Sequence, residues 1–118
     1  MDIRERVVRA LRDAGVDAYT PGQRQGICNA PYVVVQRFGD YTYAATPQIT
    51  GYTLLHVIGY VPLAQPQKME PLLQQVDDAL AGCPYLTPTN NREPESINDP
   101  YKAHEEGLEY QVQWAKIR

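Results

Sequence analysis

The stretch GICNAPYVVVQRFG, residues 26 to 39, sets Cys28 three positions before Pro31 and then runs into Tyr32, Val33, Val34 and Val35. A cysteine at the mouth of a strand is where a nucleophile often sits, and His56 or His104 would activate its thiolate if the fold brought them together. No local signature surrounds Cys28, and no Asn or Asp stands at a telling spacing, so the commoner role of a small buried hydrophobe is expected. Gly26, Cys28 and Pro31 then read as the punctuation of a turn that feeds a buried strand. Cys28, Cys83, His56 and His104 match a zinc site in number, yet each lies more than twenty residues from the next, with no CxxC or HxxxH pairing. His56, between Leu55 and Val57, reads as a hydrogen-bonded, partly covered side chain. Glu93, Glu95, Asp99, Glu105, Glu106 and Glu109 gather acidity in the last quarter. With no fixed pair geometry among them they read as a solvated face rather than acid–base machinery. No catalytic residue, metal ligand or cofactor-binding residue is assigned, and the chain is not expected to be an enzyme.

The elements that position these residues follow from periodicity. Ile3, Val7, Ala10, Leu11 and Ala14 recur at helical spacing, with Asp2 as the expected N-cap and Gly15 as the expected left-handed stop. Pro31 holds Ala30 extended and opens a strand over 32–38, with Tyr32, Val34 and Gln36 on one face and Val33, Val35 and Arg37 on the other. GDYTYAATPQITG reads as a loop or frayed hairpin tip before a second strand over 52–61, so the two strands form a long antiparallel hairpin. Met69, Leu72, Leu73, Val76, Ala79 and Leu80 mark a second amphipathic helix within 67–81, closed by Gly82. CPYLTP reads as a short strand. From Thr87 to Lys102 the chain is polar and carries Pro88, Pro94 and Pro100, with Pro84 just before, which reads as a long exposed connection. Leu108, Tyr110, Val112 and Trp114 alternate with Glu109, Gln111 and Gln113, as in a half-buried final strand. The expectation is one α+β domain over 1–118, with two amphipathic helices packed on one face of a mainly antiparallel sheet in the order α-β-β-α-β(β). Its core is drawn from Ile3, Val7, Leu11, Val33, Val35, Leu72, Leu73, Val76, Leu80, Val112 and Trp114.

Composition narrows the partners. A formal net charge of −3, with the basic residues spread along the chain, gives no electrostatic footprint for nucleic acid. An RNA- or DNA-binding module would need basic and aromatic residues together on one sheet face, and here the basic partners are few. No stretch approaches the ~20 apolar residues of a membrane span. With no signal peptide recognised, the two cysteines are expected as free thiols in a reducing compartment. Nine tyrosines against one phenylalanine is a bias that suits half-buried surfaces and subunit contacts.

The amphipathic N-terminal helix, the PYVVVQ strand, the tyrosine-rich connection, the strand ending YVP, the MEPLLQQVDDAL helix and the last strand after a polar segment together resemble a family. It is that of the tail terminator, or tail completion, proteins of long-tailed bacteriophages and prophages, and the resemblance covers nearly the whole chain. It implies a structural subunit that assembles in the host cytoplasm and becomes part of the virion tail. There it forms a homo-oligomeric ring, usually a hexamer, on the head-proximal end of the tail tube, with the tube protein and head-tail connector proteins as partners. The residues expected at such contacts are Arg24, Arg37, Tyr41, Tyr43, Tyr52, Arg92 and Tyr101. Arg24 and Arg37 suit carboxylates of a neighbouring chain. Tyr41 and Tyr43 lie in the almost uncharged hairpin segment, Tyr52 opens the strand that follows it, and Arg92 and Tyr101 lie in the polar stretch 88–102. The rival from another class is a small ligand-binding or enzymatic α+β domain of ferredoxin-like layout, which would need a strand before the first helix.

The cysteine reading predicts that Cys28→Ser and Cys83→Ser leave folding and assembly intact. Stoichiometric zinc in the purified protein, or a disulfide needed for folding, would show it to be wrong.

Overall fold

The computed structural model describes residues 2–42 and 48–117, with side chains over 2–42 and 51–113. Helix α1, Ile3–Asp13, begins where Asp2 accepts a hydrogen bond from the Arg4 backbone N–H at 2.7 Å, satisfying one of the unpaired donors of the first turn. It ends in a Schellman motif: Val16 N–H donates to Leu11 O at 2.9 Å and Gly15 N–H to Arg12 O at 3.0 Å. Gly15 takes φ +86°, a left-handed conformation that a side chain would strain. Both expected caps of this helix are therefore present.

Strand β1 is only Ala18–Tyr19, a two-residue element hidden in what reads as a connection. Strand β2, Tyr32–Thr42, and strand β3, Gln48–Pro62, form the expected long antiparallel hairpin, from Tyr32↔Tyr60 to Thr42↔Gly51. Both run further than the sequence pattern marks, so much of GDYTYAATPQITG is strand. The outer end of β2, residues 40–42, is exposed with no buried apolar set, which leaves periodicity nothing to detect. A 3₁₀ turn, Pro66–Lys68, leads into helix α2, Met69–Leu80, with Pro71 in its first turn, where a missing N–H costs little. Gly82 does not close α2 as Gly15 closes α1. The left-handed glycines are Gly15, Gly22 and Gly26, and the cap residue of α2, Ala81, stays right-handed at φ −59°.

The larger correction lies at Thr87–Asn98, which is strand β4 rather than a long loop, followed by strand β5, Ala103–Ile117. Among the described residues the strands form a five-stranded sheet in the order β1-β2-β3-β5-β4, with β1 parallel to β2 and the other neighbours antiparallel. β4 pairs with β5 alone, and an edge strand tolerates proline because an outward N–H has no ladder partner to lose. Its register breaks between Pro88 and Arg92 and again between Glu93 and Ser96. Nearly all of β4 is exposed, so it has no buried face to announce it.

One core cluster joins α1 (Val7, Val8, Leu11), α2 (Met69, Leu72, Leu73, Val76, Leu80) and the strands (Val33, Val35, Leu55, Val57, Val61, Tyr110). Ile3 and Val112 are partly buried against it, and Trp114, also expected in the core, lies outside the described side chains. Gly59 permits the approach of α2: a Cβ there would sit 3.1 Å from Leu72 Cδ2 and 3.2 Å from Leu73 Cδ2. Tyr110 reaches the same helix, its hydroxyl donating to Asp77 Oδ1 at 2.9 Å. A smaller cluster of Cys28, Tyr32 and Ala103, with Tyr19, Val34, Tyr60 and Tyr101 against it, sits apart from the main core.

Leu80 is 2 % exposed, so Leu80→Ala should lower unfolding free energy by about 2–5 kcal/mol in denaturant titration. A loss well under about 1 kcal/mol would mean that α2 does not face the core as described.

Candidate functional site

The residues expected at assembly contacts fall into separate places. Arg24 lies with its guanidinium 5.0 Å from the centre of the Tyr32 ring, a cation–π contact. Tyr32 stacks on Tyr60 at 5.0 Å, and Tyr60 meets Tyr101 at 6.2 Å. Arg24 and Tyr101 therefore share one aromatic patch. Arg37, Tyr41 and Tyr52 belong to the far half of the hairpin, where the Tyr41 and Tyr52 rings stack at 5.2 Å and Arg37 pairs with Asp40. From Tyr60 to Tyr52 is eight residues of strand, or about 26 Å at the usual rise, so the two patches cannot form one small site. Arg92 occupies a third place, bridging Glu70 of α2 at 2.6 Å and Glu106 of β5. Tyr43 lies outside the described residues.

Cys28 follows the structural reading. It is buried, its backbone N–H donates to Tyr101 O at 2.8 Å, and its thiol donates to Ala30 O at 3.3 Å. Burial pushes the thiol pKa up, opposite to what a nucleophile needs. Cys28 and Cys83 are both free. His104 is elsewhere, its ring nitrogens facing Leu63 O at 3.2 Å and Glu95 at 3.3 Å. Among the described residues no group of three or more His, Cys, Asp and Glu is arranged to hold a metal ion.

The acidic residues hold a geometry that their spacing conceals. His56, 6 % exposed, has Nε2 3.0 Å from Glu109 Oε2 and Nδ1 3.3 Å from Glu93 Oε1, with Phe38 stacked on its ring at 4.4 Å. Glu109 is positioned in turn by Thr89 Oγ1 at 2.8 Å and Asn91 Nδ2 at 3.1 Å, both from β4. Partial burial works against the Glu109 charge, but the hydrogen bonds from Thr89, Asn91 and His56 outweigh it and hold the carboxyl below its ordinary 4.5. Both ring nitrogens of His56 thus lie within hydrogen-bond distance of a carboxylate, one from β5 and one from β4. What the cluster does is fasten β4 to β5 and β3 where the ladder between Pro88 and Arg92 is broken and Asn90 takes φ 67°.

Sequence reasoning missed this cluster. The usable signal was the register His56↔Glu109, which exists only once β3 is known to lie beside β5. Two shallow clefts flank β4, one of ≈ 300 Å³ toward α2, lined by Gln74, Asn91 and Arg92 among others, and one of ≈ 230 Å³ over His56 and Phe38. No helix among the described residues is long and apolar enough to cross a membrane. The chain matches no known protein-family model and no curated protein sequence.

Because the folded-state pKa of Glu109 is depressed, its contribution to stability is full above the ordinary 4.5 and is lost as pH falls through the lower folded value. Glu109→Gln should therefore flatten that acid limb in a series of denaturant melts. An unchanged slope in the variant would show that the network contributes nothing.

Proposed function

We propose that this chain is a structural tail protein of a long-tailed phage or prophage. It forms a ring on the head-proximal end of the tail tube, ends tube growth and offers a surface to the head-tail connector. Assembly would take place in the bacterial cytoplasm and end in the virion tail. The observation that carries this reading is the far half of the hairpin. Phe38 is 58 % exposed and Tyr41 40 % exposed, stacked on His56 and Tyr52 respectively, in a segment whose charges Arg37 and Asp40 already pair with each other. A lone monomer gains nothing by presenting aromatic rings to water there. A subunit that covers them against a neighbour or a tube gains apolar area and a hydroxyl partner at low entropic cost.

The same reading takes the two helices to cover one face of the sheet and to leave the face bearing Tyr60, Phe38 and Tyr52 for contacts. The shared core of α1, α2, Leu55, Val57 and Val61 supports that division, since those β3 positions alternate with His56, Ile58 and Tyr60. Around a cyclic ring the two contacting patches of each subunit differ. The hairpin end and the Arg24/Tyr101 end supply two different patches about 26 Å apart by strand rise. The chain acts here as a scaffold and catalyses nothing.

Replacing Tyr41 and Tyr43 together with serine should leave the far-ultraviolet circular dichroism unchanged and weaken ring formation and binding to tube ends at least tenfold. If the double variant caps tubes as the parent does, the hairpin is not the assembly surface. If the parent neither forms rings nor binds tubes at any concentration, the terminator reading itself fails.

A further inference from the structure

Between β1 and β2 the chain passes over Tyr32 as a strap, residues 21–30, with no helix or strand of its own. Within the strap only Cys28 is buried and only Arg24 is half-buried, while Ile27 beside the anchor is 58 % exposed. Most of its hydrogen bonds are local. Gln23 N–H donates to Thr20 O at 3.2 Å, Gln25 Nε2–H to Gly22 O at 3.3 Å and the Cys28 thiol to Ala30 O at 3.3 Å. Among the described residues, the one hydrogen bond that ties the strap to a distant part of the chain is Cys28 N–H to Tyr101 O at 2.8 Å, at the turn between β4 and β5. The other attachment is the Arg24 guanidinium, 5.0 Å from the centre of the Tyr32 ring.

Under these two attachments Tyr32 is 1 % exposed. Its ring is well housed, stacked on Tyr60 at 5.0 Å and meeting Tyr19 edge-on at 6.0 Å. Its hydroxyl is not: among the described residues no hydrogen-bond partner reaches it. Burial pushes the pKa of that hydroxyl up to about 12. A hydroxyl that gives up water and gains no partner costs free energy, and the cost is carried only while Tyr32 stays covered. Gly22 and Gly26 flank Arg24 at φ +85° and +90°, and a Cβ at either would meet no atom within 4 Å. These glycines therefore serve the path of the backbone rather than packing, and they let the strap change that path at little steric cost.

We propose that residues 21–30 are a gate over Tyr32 that opens locally while the rest of the fold stays intact. Opening breaks the Cys28–Tyr101 hydrogen bond and lifts the Arg24 guanidinium from the ring. It also gives the Tyr32 hydroxyl to water and brings the Cys28 thiol to the surface. What is lost is one hydrogen bond, one cation–π contact and the burial of a small thiol, each a modest contribution, and relief of the unpaired hydroxyl offsets part of it. The sheet beneath needs no rearrangement: Tyr32 stays paired with Tyr60, and Val33 N–H stays bonded to Asp17 O. The open state presents the stacked Tyr32 and Tyr60 rings, a phenol hydroxyl and a thiol, groups that the closed state withholds. The gate lies at the Tyr32 end of β2, away from Tyr41, and does not rest on the terminator reading.

The test is labelling of the full chain with iodoacetamide, in a Cys83→Ser background so that Cys28 alone reports, with urea varied below the unfolding transition. The expected result is labelling faster than the measured global unfolding equilibrium allows, at a rate nearly independent of urea. Tyr32→Phe removes the unpaired hydroxyl and keeps the ring, and should slow labelling about tenfold. Arg24→Gln removes the cation–π contact and should speed it about threefold. Labelling whose urea dependence equals that of global unfolding overturns the proposal, as does a folded Tyr32→Phe chain that labels as fast as the parent. Should Tyr32→Phe lose its native circular dichroism, Arg24→Gln decides, and unchanged labelling in that variant overturns the gate. Tail tubes take no part in the experiment, so failure of the gate leaves the terminator reading standing.

Discussion

The fifteen residues of β3, Gln48–Pro62, pair along most of their length with β2 on one side and all along with β5 on the other, and the rest of the molecule is arranged around that double pairing. Because side chains alternate along a strand, a single register decides two surfaces at once. Leu55, Val57 and Val61 enter the core with α1 and α2, while His56, Ile58 and Tyr60 go to the other side. Gly59 lies on the core side, where a side chain would press on Leu72, Leu73 and Met69. A one-residue slip of β3 would bury His56 among leucines and valines and turn the apolar set to solvent, so the pairing is strongly specified.

Outward from β3 the means of attachment change. β5 is held by a continuous ladder and by Tyr110, whose hydroxyl reaches Asp77. β4 has only a broken ladder, and side chains substitute for it: Thr89 and Asn91 on Glu109, Glu93 on His56, Arg92 on Glu70 and Glu106, and Ser96 on Glu105. Several of these partners are half-exposed, where an ion pair contributes at most about 1 kcal/mol, so β4 is fastened by a network rather than by any single strong contact. This edge is consequently decorated with charge. Along residues 36–42 of β2 the two charges, Arg37 and Asp40, pair with each other, and the exposed rings of Phe38 and Tyr41 lie beside them.

What was legible in the sequence was whatever buried a periodic apolar face. Both helices, the inner halves of β2 and β3, and the Leu108–Tyr110–Val112 alternation all announce themselves in this way. Asp2 and Gly15 mark α1 because a cap needs particular side-chain chemistry at particular positions. β4 was illegible because an edge strand exposed along nearly its whole length has no buried period, and prolines that would forbid a central strand are harmless there. β1 is too short for any period, and Gly82 shows that a glycine after a helix need not adopt the left-handed cap. The His56 cluster was hidden for another reason: His56 and Glu109 stand 53 residues apart, and only the order of strands brings them together. Of the seven residues expected at contacts, the six that are described separate into two sheet ends and a bridge, because residue type and loop position carry no information about distance.

The proposed role, a subunit that stands against copies of itself and a tail tube, rests on the exposed aromatic rings of the hairpin, Phe38 and Tyr41. The most direct measurement of the central claim is electron microscopy of tubes grown from a cognate tail tube protein with and without this chain. The account predicts shorter tubes, each bearing a ring of extra density at one end only, and a tube length that falls as the ratio of chain to tube protein rises. Tubes of unchanged length with bare ends at saturating chain would contradict it.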